Sequence, residues 1–217
     1  MASTTASRIL DPIDRISEVL FGLFMVLTFT GTLSVIDSGR DEVRDMLIAA
    51  IGCNLAWGFV DAVMYVLRNL VARGRQATLI RAVRDAARPE QAHRIIGDEI
   101  GPVSNAFGAA ELERIRQWIA SQPVSAIPKV AVTTADLKGA FAVFLLVFLS
   151  TFPVVLPFVF IDDAGVAKRA SAAVAIAMLY ICGYAWGRYA GLKAWRTGAV
   201  MVLLGIGVEA IVIALGG

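Results

Sequence analysis

The stretch Met46–Leu67, MLIAAIGCNLAWGFVDAVMYVL, constrains this chain most. It is almost wholly apolar and long enough for one helical crossing of a bilayer, which takes about 20 such residues. It holds one full charge, Asp61, and one strong amide, Asn54. Helical spacing puts Asn54, Trp57, Gly58, Asp61, Met64 and Tyr65 along one side. Asp61 precedes Arg68 by seven positions, roughly 10 Å at the helical rise. A carboxylate at that depth costs about 2.5–3.5 kcal/mol on insertion scales, so something must compensate for it. Two readings follow. Asp61 snorkels to the near interface or bonds to a neighbouring helix, or it belongs to a cation or proton site.

The rest of the chain agrees with a membrane setting. Hydrophobic residues make up 58% of the 217, and the mean hydropathy is +0.71. Soluble domains average about 45–50% apolar residues, so a small polytopic membrane domain is expected, and its helical spans make the expected fold class an all-α integral membrane protein. The net charge of +2 gives no electrostatic basis for a nucleic-acid partner. Cys53 and Cys182 lie in separate apolar runs without CxxC spacing, which reads as buried, inert thiols. The start, MASTTASRILDPIDR, is polar; residues 1–15 read as a tail, with no cleaved leader and no lipidation motif.

Five spans are expected: Ile16–Ile36, Met46–Leu67, Gly139–Ile161, Ala170–Gly187 and Thr197–Leu215. The chain then divides into the tail (1–15), the first two spans (16–67), an insert (68–138) and the last three spans (139–217). A short hydrophilic turn, Asp37–Asp45, joins the first two spans. The insert is polar and rich in arginine. Its helices are expected at Ala77–Ala87, stopped by Pro89 or Gly97, and at Ala109–Ala120, with Pro123 and Pro128 leading back to the membrane. Pro153 and Pro157 stand one turn apart in the third span and must kink it or break its hydrogen-bond ladder. Such a kink either fits neighbouring helices or frees carbonyls to line a pathway. Gly183, Gly187 and Gly191 form a row that permits close helix approach, between two copies or within one. Arg188 and Glu209 are further candidates for pairing inside the membrane.

Orientation follows from charge. The insert and the 188–196 loop carry the arginine and lysine excess, so the positive-inside rule makes that side cytoplasmic. The N-terminus is then cytoplasmic and the C-terminus outside. With arginine-biased loops and no leader, the membrane is expected to be a bacterial inner membrane.

A helical cytoplasmic insert between the second and third of five spans resembles the vacuolar iron transporter (VIT) family. Val19-Leu20-Phe21-Gly22-Leu23 is similar to the I-F-G-L start of that family's first helix, and Phe152-Pro153-Val154-Val155-Leu156-Pro157-Phe158 resembles its P-x-x-P-[FY] run. The sequence departs from the pattern elsewhere. Phe24, Met25 and Val26 replace the family's N-D-G, and Gly58-Phe59-Val60 replaces G-E-Y, with Asp61 two places on. The insert has Asp85, Glu90, Asp98, Glu99, Glu111 and Glu113 but no helical E-x-x-E repeat.

The resemblance implies a homodimer in the lipid bilayer that exports iron or manganese from the cytoplasm in exchange for protons. The divalent metal ion would be substrate, and no cofactor is bound permanently. On that reading Asp61 supplies a hard oxygen, Met64 and Met25 supply thioethers suited to later transition metals, and Glu18 stands at the cytoplasmic mouth. Asn54 shares the face of Asp61. In the insert, His93, Asp98, Glu99, Glu111 and Glu113 are the only potential ligand set. Glu111 and Glu113, two apart, cannot share a helix face. The bland readings are packing for the methionines, an ordinary interfacial charge for Glu18 and acid–base balance on the insert's surface. The alternative function is a VIT-like membrane protein that does not transport and serves assembly or regulation. An enzyme is not expected, because the sequence has no H-E-x-x-H, G-x-S-x-G or P-loop.

Overall fold

The structure is a computed structural model and describes residues 10–32 and 40–215. Its elements, in order, are α1 (Pro12–Thr32), α2 (Arg40–Arg84), α3 (Pro89–Ile100), α4 (Ala109–Ser121), α5 (Thr134–Ser150), α6 (Phe152–Phe160), α7 (Ala164–Tyr189) and α8 (Ala194–Ala214). Short 3-10 turns occupy Gly101–Ala106 and Val124–Ala126. Among the described residues, four helical stretches are long and apolar enough to cross a membrane: Val43–Arg84, Thr134–Phe160, Ala164–Tyr189 and Ala194–Ala214. The expected first span is not among them. Its helix, α1, carries Asp14, Arg15 and Glu18 in its first turns, and residues 33–36, expected to complete it, lie outside the described residues.

Several boundaries differ from those read in the sequence. The expected tail already becomes helix at Pro12, where proline's fixed φ suits a helix start. Asp11 caps it, accepting from the Ile13 N–H at 3.0 Å. The rest of the tail, residues 1–9, lies outside the described residues, as do residues 37–39 of the expected Asp37–Asp45 turn. From Arg40 that turn is already helical. The second span does not end at Leu67: α2 runs unbroken from Arg40 to Arg84. Its polar second half is Ala-, Leu- and Arg-rich with no proline, so nothing local stops it. Pro89 opens α3 instead of ending the preceding helix, and Gly97 lies inside α3.

The chain forms two compact units, Met1–Tyr65 with Thr134–Gly217, and Val66–Thr133. In the first, α1 is the central helix. Its Leu20, Leu23, Val26 and Leu27 are buried against Ala50 of α2, Val154 and Val155 of α6, and Ala175 and Leu179 of α7. Helix α7 starts at Asp163, whose carboxylate accepts from the Val166 N–H at 2.7 Å. It ends where Gly191 takes φ 70° and the Leu192 N–H reaches back to the Gly187 carbonyl at 2.8 Å. That is the Schellman arrangement, and glycine adopts its left-handed residue without steric cost.

The glycine row therefore splits. Gly191 belongs to the turn. Gly183 and Gly187 face α8 within the protomer, where a Cβ on Gly187 would lie 2.8 Å from the Ala194 Cα. Arg188 is exposed in the last turn of α7.

In the second unit, Val83, Ala92 and Ile96 form a small core with Leu112, Ile115 and Ile119 of α4 around it. The Arg84 guanidinium donates to the Gln122 carbonyl at 3.0 Å, tying the end of α2 to the end of α4.

Candidate functional site

Three interruptions of ordinary helix packing meet around Asn54. The first is on α2 itself. Its inward face places Ala50, Asn54 and Gly58 in full burial, followed by Asp61 and Tyr65, half-buried. The second is on α1, where Gly22 lets α5 approach so closely that a methyl there would overlap the Ser150 hydroxyl. The third is a gap in the third expected span. The helix from Thr134 stops at Ser150 and resumes at Phe152. Pro153 has no N–H to give the Leu149 carbonyl, and the Val154 N–H turns instead to the Thr151 carbonyl at 3.2 Å.

Asn54 joins all three. It is 0% exposed. Its side-chain N–H group donates to the Gly22 carbonyl at 3.3 Å and to the Thr151 hydroxyl. Its Oδ1 is buried and has no hydrogen-bond partner among the described residues. A buried amide oxygen in that state is costly, and it is the kind of atom that a water or a cation satisfies. Neighbouring hydroxyls are committed elsewhere: Ser150 donates to the Val147 carbonyl at 2.7 Å, and Ser171 of α7 to the Val154 carbonyl at 2.6 Å. Serine and threonine beside a proline break commonly take up backbone groups in this way.

Farther along α2, Asp61 keeps one carboxylate oxygen, Oδ2, shielded from solvent. Gly58 and Tyr65 bring this part of α2 against α5, at Phe144 and Gly139 respectively. Trp57 and Met64, expected on the same side, lie on its flank and are 44% and 56% exposed. Trp57 packs edge-on against Phe21 of α1, with ring centroids 5.9 Å apart. Met25 and Glu18 of α1 are both half-buried. Pro153 falls in the first turn of α6 and Pro157 inside it.

Thr151, Ser150 and Ser171 were not singled out from the sequence, and Gly22 entered only as part of the first-helix motif. The Ser150-Thr151 pair just before Pro153 is a legible signal for such a site, and Gly22 stands in the Phe21-Gly22-Leu23 motif of the family resemblance, whereas Ser171 carries no signal. Asp136, also not singled out, is 3% exposed in the first turn of α5, where the helix dipole favours a carboxylate.

In the second unit, His93 and Glu113 meet: Nε2 to Oε2 is 2.8 Å. Glu113 also accepts two bonds from Arg116, at 2.8 and 2.6 Å, and one from Gln117. The Arg116 guanidinium first, then His93, holds the Glu113 carboxyl down at about 2. Glu111 turns away to the Gly108 N–H and to Arg114. Its carboxyl is also lowered, chiefly by backbone N–H groups. Asp98 and Glu99 are exposed on α3. Among the described residues no three His, Cys, Asp or Glu side chains gather as a metal-holding group.

Long apolar helices, one of them proline-broken, with a buried amide at the break, define a polytopic helical membrane protein. The chain belongs to the VIT family, whose model matches residues 69–217. That span takes in the Pro153–Pro157 run and the last helices. It leaves out α1 and the apolar part of α2, where the family's N-D-G and G-E-Y are replaced. No curated protein matches the chain. Membership of this family implies membrane transport of iron or manganese, and the family's members are transporters, not enzymes.

Proposed function

We propose that this protein exports a divalent transition metal, iron or manganese, from the cytoplasm in exchange for protons. The observation that carries the reading is the buried Asn54 amide beside the proline break, on the helix face that continues to Asp61. A cation crossing a bilayer needs oxygen donors at depth, and irregular backbone is tolerated there only where it is buried or lines a cavity. Asp61 is the exchanging carboxylate, and Asn54 is a neutral oxygen donor at the break. Met25 and Met64 supply thioethers, and Glu18 stands at the cytoplasmic entrance.

In this reading α1 completes five spans, the Val66–Thr133 unit is cytoplasmic, and the C-terminus faces the opposite side of a bacterial inner membrane. The protein works as a homodimer. His93, Asp98, Glu99, Glu111 and Glu113 are at most a weak capture site for metal on the cytoplasmic side, centred on the His93–Glu113 pair.

Proteoliposomes with an imposed manganese or iron gradient test the proposal. Asp61→Asn keeps the size and removes the charge, and should abolish metal-driven proton movement in protein that still folds. Met64→Leu should weaken metal transport more than proton leak, because it deletes only the thioether. Full activity in Asp61→Asn ends the assignment.

A second reading is favoured by the replacement of the first-helix aspartate, with Phe24, Met25 and Val26 in its place. The chain would then keep the family's fold for assembly or regulation without transporting. Absence of metal-driven flux in the unmodified protein, from well-folded preparations, selects that reading.

A further inference from the structure

Another surface of the membrane unit borders the proline break from the side away from Asn54 and Asp61 and contains neither residue. The first turns of α1, one flank of α5, the start of α6 and Met178 of α7 enclose an open furrow of about 620 Å³. Val19, Leu145, Leu146, Leu149, Met178 and Pro153 are among the residues that line it. Among the described residues Arg15 is the one charged residue that lines it. A second recess of about 270 Å³ adjoins, lined by Ile16 and Cys182 and sharing Arg15, Val19 and Leu146 with the first. One guanidinium thus lines both apolar recesses. Arg15 is exposed, and among the described residues no carboxylate pairs with its side chain.

Direction matters as well. Arg15 lies in the first turn of α1, and Gly22, seven residues on, packs on Ser150. Those seven residues span roughly 10 Å along the helix. The furrow therefore runs along the helix axis, as an acyl chain would, from a cation near the helix start to the proline break. Ser150 offers it no free O–H, since its hydroxyl donates to the Val147 carbonyl.

We propose that this furrow binds one anionic phospholipid of the surrounding bilayer, with the phosphate on Arg15 and the acyl chains in the two recesses. The occupant must be apolar along its length and anionic at one end, and a bilayer lipid meets both demands at the concentration of the membrane itself. A free phosphate would leave the leucine walls uncovered. A helix from a second copy would have to place a carboxylate at the level of Arg15. The bound chain ends against Ser150 and Pro153, so the site borders the break that Asn54 holds from the other side.

Native mass spectrometry of the full chain in mild detergent tests this, with phosphatidylglycerol and phosphatidylcholine of equal chain length as probes. One basic residue near the membrane surface favours the anionic lipid by about fivefold. The unmodified protein should show that preference, and Arg15→Gln should reduce it to parity. Leu146→Trp, which fills both recesses, should lower retention of both lipids, and Val19→Phe should do the same should the tryptophan impair folding. Equal retention of the two lipids by the unmodified protein overturns the proposal, as does an undiminished preference in Arg15→Gln. Displacement of phosphatidylglycerol by millimolar inorganic phosphate would show an anion site without a lipid site. Loss of a dimer mass in Leu146→Trp with lipid retention unchanged would assign the furrow to a second copy. None of these readings touches Asp61, so failure here leaves the transport assignment to its own test.

Discussion

The bond between Asn54 and Thr151 should show a thermodynamic sign that distinguishes it from simple packing. Thr151 is 0% exposed, and its hydroxyl accepts from an amide that is equally buried. Thr151→Val keeps the shape and the β-branch while deleting the hydroxyl. The amide is then left with the Gly22 carbonyl at 3.3 Å alone, in addition to its unsatisfied Oδ1. Inter-helix hydrogen bonds in membranes couple by about 0.6 kcal/mol on average and about 1.7 at most. Full burial at both ends puts this one toward the top of that range, so Thr151→Val should cost about 1–1.5 kcal/mol. Asn54→Leu added to it replaces both partners by apolar groups of similar shape, a change that is often nearly neutral. The double variant should therefore be more stable than Thr151→Val alone. The assay is reversible unfolding of the full chain in mixed micelles, titrated with a denaturing detergent, for all four members of the cycle. Additivity within about 0.3–0.5 kcal/mol would mean that the two side chains do not interact, and the argument would fail. The double variant, however stable, should lose metal flux if Asn54 is a donor on the pathway.

Three further outcomes are expected. Gly187→Ala pushes a methyl against the Ala194 backbone at 2.8 Å and should destabilise the protein by about 1–3 kcal/mol, whereas Gly52→Ala, which meets nothing within 4 Å, should be neutral or stabilising; melting temperatures of the two variants check this. The Glu113 carboxyl is depressed from 4.5 to about 2, so its contribution to the α3–α4 pair is complete above pH 4.5 and is lost as the pH falls toward 2. Hydrogen exchange in α3 and α4 should rise over that window, and Glu113→Gln should flatten the response. Cysteines placed at Gln91 and Gly217, with Cys53 and Cys182 replaced by alanine, should label from opposite sides of the membrane; labelling from one side would end the five-span reading.

Membrane character was legible because it rests on length and hydropathy, which need no knowledge of partners. The apolar runs between Gly139 and Leu215 fall within α5 to α8, to within a few residues at each end. Element ends were harder. Pro89 looks like a terminator and acts as an initiator, because proline is equally at home in the first turn of a helix. The continuation of α2 past Leu67 was hidden by the change to polar residues, which marks a change of surroundings and not of backbone. At the site, Asn54 and Asp61 stood out as polar groups in an apolar run. Their partners did not, because a glycine such as Gly22 or a threonine such as Thr151 gains its meaning only from the helix packed against it. Met64 shows the converse. Spacing placed it with Asp61, but a helix face is wide, and the packed part of α2 takes Gly58 and Tyr65 and leaves Met64 on the flank.

The central place of α1 bears on how the molecule is made. It is synthesised before α2 to α8, yet its Leu27 packs where Leu179 and Gly205 meet, so its surroundings are complete only when α8 has emerged. Until then it must tolerate lipid. Its hydroxyls are suited to that wait: Thr28 bonds to the Met25 carbonyl at 2.6 Å, and Thr30 to the Val26 carbonyl at 3.2 Å, both within their own helix. Asn54 and Ser171 bond outside their own helices instead. Asn54 can reach Gly22 as soon as α2 is beside α1, but it must await Thr151, nearly a hundred residues later. Ser171 finds the Val154 carbonyl already made. Biogenesis thus leaves one amide half-served through the synthesis of the whole intervening unit, and that interval is when an insertase or chaperone has most to protect.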